Sequence, residues 1–389
     1  MHGQEVPARK NMKVNRKKKI AIVGAGNAAC ATALCLYDHV YDLIDKITIY
    51  YDPSIPIEKV GQATTLNFAN YIWTVLGINW HEKNNLIKST YKSGILYENW
   101  GKKNEEIFHP FPLDSVAIHF VPNLLSKLVL ECGLFDVVEK NIEDPEKEID
   151  ADFIFDCRGK NNRELKLYDK LINPLNHVIV GKDPNPDLKL NYTRCVATPN
   201  GWTFAIPNYD SVSYGYLFNH NITSIEDATI NFFEMFDVNL SFEFEFENYI
   251  AKNCFYGERT ILNGNRLCFL EPLEATSVSY YLWVAEKSIE HIFGGANRKY
   301  CNNQIRSEMY KIQNFILWHY QYGSKYDTPF WRYAKSLPFQ PDFEFKSAVE
   351  YAEKNNIFNC RKNLENIVYG QWSPYNFKVW LDSNEEVIV

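Results

Sequence analysis

Apolar and polar positions near the start of the chain follow a strand–helix–strand rhythm. Residues 19–23 form a short apolar strand pattern. It runs through Gly24-Ala25-Gly26-Asn27-Ala28-Ala29 into an apolar helical stretch reaching about Tyr37. A second strand pattern covers 46–51 and ends at Asp52. This order predicts a parallel βαβ unit with a glycine turn between strand and helix. Pro and Gly punctuate 53–65, which reads as an extended loop. Further along, the periodicity predicts a helix over 66–76, strands over 94–97 and 116–120, and a helix over 122–132. Phe153-Ile154-Phe155-Asp156 is apolar enough for a buried strand that rejoins the first sheet. From 192 to 218 the pattern is strand, turn, strand, with Pro199-Asn200-Gly201 as a turn. Thr223 and Glu226 have capping-box spacing before a helix to about Phe236. A strand over 242–249 follows, and beyond Val284 the pattern is mainly helical to about Tyr333.

Composition narrows the class. At 389 residues with 46% hydrophobic and 23% charged positions, the chain can build a large core, which excludes global disorder and fibrous architectures. Net charge is −7, yet the first twenty residues carry seven basic side chains against Glu5, leaving −13 on the rest. That acidic body argues against nucleic acid as a partner. The basic start reads as a disordered tail over 1–18. The nine cysteines form no CxxC pair and no zinc-spaced cluster with histidine, so no metal site is expected. Neither a signal peptide nor a bilayer-length apolar run is present, so the expectation is no membrane partner and a reducing, cytoplasmic location. Oligomeric state is left open.

The glycine turn carries the first candidate chemistry. In Gly24-x-Gly26-x-x-Ala29 the first glycine permits a tight turn, and the second lets backbone approach a pyrophosphate. The small Ala29 allows close helix–strand packing, and the helix N-terminus favours the anion. Asp52 stands 23 residues beyond Ala29, near the spacing of a ribose-binding acid. This points to a dinucleotide without separating FAD from NAD; the competing reading is a structural turn.

Several later segments resemble the tryptophan-halogenase family of flavin-dependent halogenases, in family order from about 19 to 331. Gly201 to Pro207 (G-W-T-F-A-I-P) resembles the family's GWxWxIP motif. Phe269 to Thr276 (F-L-E-P-L-E-A-T) resembles its F-(V/L)-(D/E)-P-L-E-S-T stretch, and Tyr91 to Trp100 the segment with the active-site lysine. Phe315 to Tyr320, then Asp327 to Trp331, resemble the helical FI-x-x-HY … D-x-x-FW stretch, with an echo at Gly370 to Tyr375. Ile55-Pro56 and Val60 to Thr64 resemble the IP…VGEAT loop, and Asp152 to Gly159 the D-x-x-x-D-x-x-G flavin segment, which favours FAD over NAD.

The resemblance implies an α/β fold: an FAD-binding Rossmann-like three-layer domain, an antiparallel substrate-region sheet and a mostly helical C-terminal part. The implied FAD parts lie at about 19–90, 145–175 and 255–290, the substrate sheet at about 91–144 and 190–254, and the helical part at about 284–389. It implies a compact member, of a kind a virus could carry, which would place it in host cytoplasm. Reduced FAD, O2 and halide would generate HOX, which Lys92 with Glu274 directs to a small electron-rich aromatic, with a separate flavin reductase as partner. FAD would be held by Gly24, Ala25, Gly26, Asn27, Ala28, Ala29, Asp52, Gln62, Ala63, Thr64 and Val278. Halide would sit at Thr276 and Ser277, and Trp202, Phe204, Ile206 and Pro207 would line the tunnel. Departures are Gln62 for a glutamate, Phe204 for the second tryptophan and Ser277 for a glycine whose lack of Cβ leaves room. From the last two follows the expectation that bromide or iodide outperforms chloride. Competing readings are a flavin monooxygenase, which hydroxylates without needing Lys92, and a non-catalytic flavin-binding protein. Lys92 also has a bland reading, a lysine snorkelling at a strand edge.

Overall fold

The computed structural model describes residues 16–389 apart from 58–59, 65–66, 102–105, 112–115, 163, 188, 356, 358–368, 385–386 and 389. Of the expected tail over 1–18, residues 1–15 lie outside the described residues, as do the start of the expected helix at Leu66 and Cys360, while Lys18 already pairs in the first strand rather than in a tail.

The first strand, Lys18–Val23, is buried over its last four residues and pairs in parallel with Ile44–Tyr51 on one side and Phe153–Asp156 on the other. The rejoining strand is therefore where its apolar pattern predicts. The full six-stranded order is Phe255–Tyr256, Thr260–Leu262, Phe153–Asp156, Lys18–Val23, Ile44–Tyr51, Asp136–Glu139. All its pairs are parallel except the hairpin at the Phe255 edge. The helix Asn27–Val40 packs between this sheet and the Ser277–Ile292 helix and buries Ala28, Ala29, Cys30, Ala31 and Ala33, whose short side chains permit close approach. It continues three residues past the expected end, to a 3-10 turn at Tyr41–Leu43.

A seven-stranded sheet forms the second layer: Asn239–Glu245, His177–Asp183, Ser211–Phe218, Gly201–Asn208, Thr193–Thr198, Gly94–Glu98, Glu106–Pro110. It is antiparallel as expected save for one parallel pair, Thr193–Thr198 beside Gly94–Glu98. A small sheet of Gln62–Ala63, Ala117–Phe120 and Thr90–Lys92 bridges the two parts. The C-terminal part packs the helices Ser277–Ile292, Arg298–Tyr322, Pro329–Ser336, Phe343–Lys354 and Pro374–Asp382.

Four details depart from the sequence reading. Asp136–Glu139, expected within the substrate region, is the edge strand of the nucleotide sheet; three of its four residues are exposed, so no alternation marks its layer. His177–Asp183, in a stretch the sequence reading leaves unassigned, is an interior strand of the large sheet. The expected 242–249 strand is two strands, Asn239–Glu245 and Tyr249–Ala251, in different sheets. The Ile225–Met235 helix is capped by Ser224, which accepts from the Asp227 N–H, rather than by Thr223 with Glu226.

Candidate active site

The glycine turn opens a groove across the strand ends of the parallel sheet. Gly24 has φ +120°, its N–H donates to the Tyr50 carbonyl at 2.8 Å, and a Cβ there would sit 3.1 Å from the Cys157 oxygen. Only glycine suits that turn. Gly26 is different: a Cβ on it would meet nothing within 4 Å and would project into open space. The helix that Gly26 caps has neither a side-chain cap nor an acid in its first turn, so its leading N–H groups are free to take an anion. Asn27 Oδ1 is buried there without a hydrogen-bond partner. The space beside Gly26 and the free N–H groups fit a pyrophosphate.

Gly24 to Ala28 line a cavity of about 270 Å³ together with Asp52, Lys140 and Arg158. Asp52 accepts from the Ser54 hydroxyl at 2.6 Å and the Ser54 N–H at 2.9 Å, and these bonds hold its carboxyl below the usual range. Neighbouring Tyr51 donates its hydroxyl to Glu139 at 2.9 Å. Arg158, anchored on Asp156 at 2.7 Å, and Lys140 are cations the sequence reading does not single out, although Arg158 lies inside the quoted Asp152 to Gly159 segment. Ala29 is buried behind the turn and serves packing.

A second cavity, about 220 Å³, shares Asn27, Asn265 and Tyr281 with the first, so the two form one groove. Gln62, Phe204, Thr276 and Ser277 line it, with Phe242 and Phe244 at its exposed wall. Ala63, Ile206, Ala275 and Phe204 pack into one small apolar cluster beside it, which draws three separated motifs together. Ser277 is the first residue of a right-handed helix, a conformation that needs no glycine. The left-handed residue is Ala275, at φ +52°. Thr64 and Val278, expected to hold FAD, are fully buried and line neither cavity. The Pro207 carbonyl accepts from Thr90 Oγ1 at 2.6 Å, tying the WTFAIP strand to the Thr90–Lys92 strand.

That strand delivers Lys92 to the interior, with 1% exposure, which rules out the snorkelling reading. Its Nζ donates to the Thr64 carbonyl at 3.1 Å and lies 4.9 Å from the centre of the Phe111 ring. Burial lowers the Lys92 pKa from 10.5 to about 7, although Cys195 and Glu274 oppose the shift. Glu274 is 2% exposed and densely held. Tyr97 donates its hydroxyl to Oε1, and Trp372 Nε1 donates to Oε2 at 3.1 Å. His319 Nε2 lies 2.7 Å from Oε1 and His109 Nδ1 3.5 Å from Oε2, both at ion-pair distance without an aligned hydrogen bond. Burial alone would raise this carboxyl; the two imidazoles overcome it and hold Glu274 well below the usual range. No ion pair within 4 Å joins Lys92 to Glu274; the two sense each other through space.

Glu271, three residues earlier, is a second buried carboxylate, and it reaches the groove. Trp202 Nε1 donates to it at 2.8 Å, Tyr320 at 2.7 Å and Asn173 at 2.9 Å. Burial raises it to about 7. Adjacent residues His319 and Tyr320 of one helix thus meet Glu274 and Glu271 respectively. The sequence reading names Trp202 and Glu274 but misses Glu271, Tyr97, His109, His319, Tyr320 and Trp372 as partners. All except His109 lie inside motifs already quoted; their roles appear only through contacts.

A model of the tryptophan halogenase family matches residues 19–124 and 135–387. The chain is 21% identical to tryptophan 6-halogenase ThaL of Streptomyces albogriseolus, over 95% of this chain and 88% of that protein. It is 22% identical to tryptophan 7-halogenase RebH of Lentzea aerocolonigenes, over 94% and 88%. The fold superposes on the flavin-dependent halogenase Xcc4156 from Xanthomonas campestris with a TM-score of 0.76 at 16% identity, covering 95% of this chain and 89% of the other.

Proposed function

The chain belongs to the tryptophan halogenase family of flavin-dependent enzymes, and we propose a division of labour in which its groove holds FAD and its buried Lys92 directs halogen transfer. The observation that carries this reading is a lysine brought to about 7 by burial, tied through Thr64 to the loop whose Gln62 lines the groove.

The adenosine and pyrophosphate half of FAD fits the first cavity, with Gly26 leaving room for the phosphates and Asp52 in reach of the ribose. The ring half fits the second, against Gln62 and Phe204. Bound reduced flavin, given oxygen and halide, supplies electrophilic halogen as HOX. The N–H groups of Thr276 and Ser277, at the start of the Ser277–Ile292 helix, hold the halide where the helix dipole favours an anion. Trp202, fixed by Glu271, and Phe204, Ile206 and Pro207 form the wall between groove and Lys92. At a pKa near 7, Lys92 offers an ammonium that donates to HOX or an amine that takes the halogen. A halogenation rate that falls as pH rises through 7 assigns the ammonium; a rising one assigns the amine. The acceptor is a small electron-rich aromatic. A separate flavin reductase supplies the reduced cofactor, and the cytoplasm is the location that matches these needs. Among the described residues no helix is long and apolar enough to cross a membrane.

Mass spectrometry of an electron-rich aromatic panel, with FAD, a flavin reductase, NADH, oxygen and halides in equal concentration, tests the reading. Halogenated products fall at least about 100-fold in Lys92→Ala. Bromide or iodide products exceed chloride, because larger halides cost less to dehydrate and Phe204 leaves the groove less filled than an indole would. Dominant chloride product defeats the halide preference. Hydroxylated products in both proteins defeat the halogenase reading.

A further inference from the structure

Charge balance inside the groove singles out Glu271. It is 1% exposed and lines the second cavity, the one that Thr276 and Ser277 also line. Among the described lining residues of that cavity there is no lysine, arginine or histidine; Lys140 and Arg158 line the first cavity only. The other ionisable groups around Glu271 keep their protons. Burial pushes up the Tyr280 hydroxyl and the Cys268 thiol, which line the same cavity. It does the same to Tyr320, which donates to Glu271, and to Tyr97 and Cys195, which sense its charge. Glu274 keeps its own charge against His109 and His319. Glu271 is thus a carboxyl without a balancing cation.

Three neutral donors hold it. Tyr320 and Asn173 both donate to Oε1, at 2.7 and 2.9 Å, and Trp202 Nε1 donates to Oε2 at 2.8 Å. A carboxylate offers about four acceptor sites, so one is left, on Oε2. A proton can be added there without breaking any of the three bonds. Burial outweighs those bonds and already raises Glu271 to about 7. A second anion entering this cavity meets no opposite charge on its walls. Like charges repel strongly where water is excluded, and an uncompensated buried charge is costly.

We propose that a halide enters the groove together with one proton, which Glu271 takes up on Oε2. The inference rests on the halide reading of Thr276 and Ser277 above. Halide ion, proton and carboxylate become a halide ion beside a neutral carboxyl; no bond to halogen forms and no electron moves. Glu271 then no longer repels an anion at the start of the Ser277–Ile292 helix, which has no side-chain cap and no acid in its first turn. Trp202, Tyr320 and Asn173 keep their acceptor, so the wall between groove and Lys92 stays in place. By linkage, halide and proton each strengthen the binding of the other by the same factor.

Calorimetric titration of the protein loaded with oxidised FAD, using bromide, tests this. At about pH 8, in two buffers of different ionisation enthalpy, close to one proton should be taken up per bromide, and affinity should be about tenfold weaker than at about pH 6. Infrared difference spectra of the parent at the higher pH should gain a protonated-carboxyl band on adding bromide. In Glu271→Gln, whose side chain is neutral throughout, affinity should not vary with pH and no proton should be taken up. In turnover the KM for bromide carries the dependence, whereas titration of Lys92 shows at saturating halide. Equal bromide affinity at both pH values in the parent overturns the proposal, as does a pH dependence that survives in Glu271→Gln. Should that variant not fold, the parent's infrared band decides, and its absence overturns the proposal. Proton-linked bromide binding in a protein that makes no halogenated product keeps the proposal while the halogenase reading fails. Bromide binding that ignores pH in an active halogenase does the reverse.

Discussion

Lys92 illustrates what burial does to a single charge. Among the described residues its hydrogen-bonded acceptor is the Thr64 carbonyl, and the nearest carboxylate is committed elsewhere. Its pKa falls from 10.5 to about 7, so between those values the unfolded chain binds a proton the native state refuses. Stability therefore rises with pH across that window, and the cost of burying the ammonium is fully present below about 7. Replacing Lys92 by Met removes that cost. The variant should be more stable than the parent at pH 6 by up to about 5 kcal/mol, with the advantage shrinking as pH rises towards 10. Urea titrations across that range check it; an advantage independent of pH would mean Lys92 is not desolvated. The segment from Tyr91 to Trp100 marks this lysine by type and neighbours. Its 1% exposure depends on Phe111 and Thr64, which directly follow two other strands.

The glycine turn shows how much one element can carry. Its two glycines have separable duties: Gly24 meets the Cys157 carbonyl, and Gly26 faces open groove. Gly26→Val should leave the thermal midpoint within a degree or two while weakening FAD binding at least about tenfold, because the added carbons occupy phosphate space rather than protein space. Fluorescence titration with FAD and a thermal melt separate the two effects. Unchanged affinity would place the pyrophosphate elsewhere. Strand–turn–helix is local in sequence and its logic is readable there. The Asp136–Glu139 strand is not, since its place depends on pairing with Ile44–Tyr51 and its side chains carry no face preference.

Across the whole molecule, the groove is walled by both sheets and closed by the Ser277–Ile292 helix, and the Arg298–Tyr322 helix meets Glu271 and Glu274. A ligand spanning that groove should stabilise the chain as a unit. FAD at a hundredfold excess over its dissociation constant should add about 2.7 kcal/mol, seen as one shifted transition rather than the shift of one part alone. Two separate transitions, only one of them moved by FAD, would show that the ligand contacts a single part.

What the sequence alone determines is chemistry that sits in short contiguous runs: the glycine turn, the buried strand at Phe153–Asp156, the WTFAIP and FLEPLEAT stretches and Lys92. Local sterics and side-chain type suffice for the turn and the strand; the other two stretches and Lys92 are marked by their resemblance to the family. Tertiary structure decides which of those residues meet. It separates Lys92 from Glu274, buries Thr64 and Val278 away from the groove, and sets Ala275 in a left-handed conformation. It also surrounds Glu274 with Tyr97, His109, His319 and Trp372, drawn from three distant parts of the chain. The physical reason is that hydrogen bonding and desolvation act through a few ångströms of space, and spacing along the chain carries no measure of that distance.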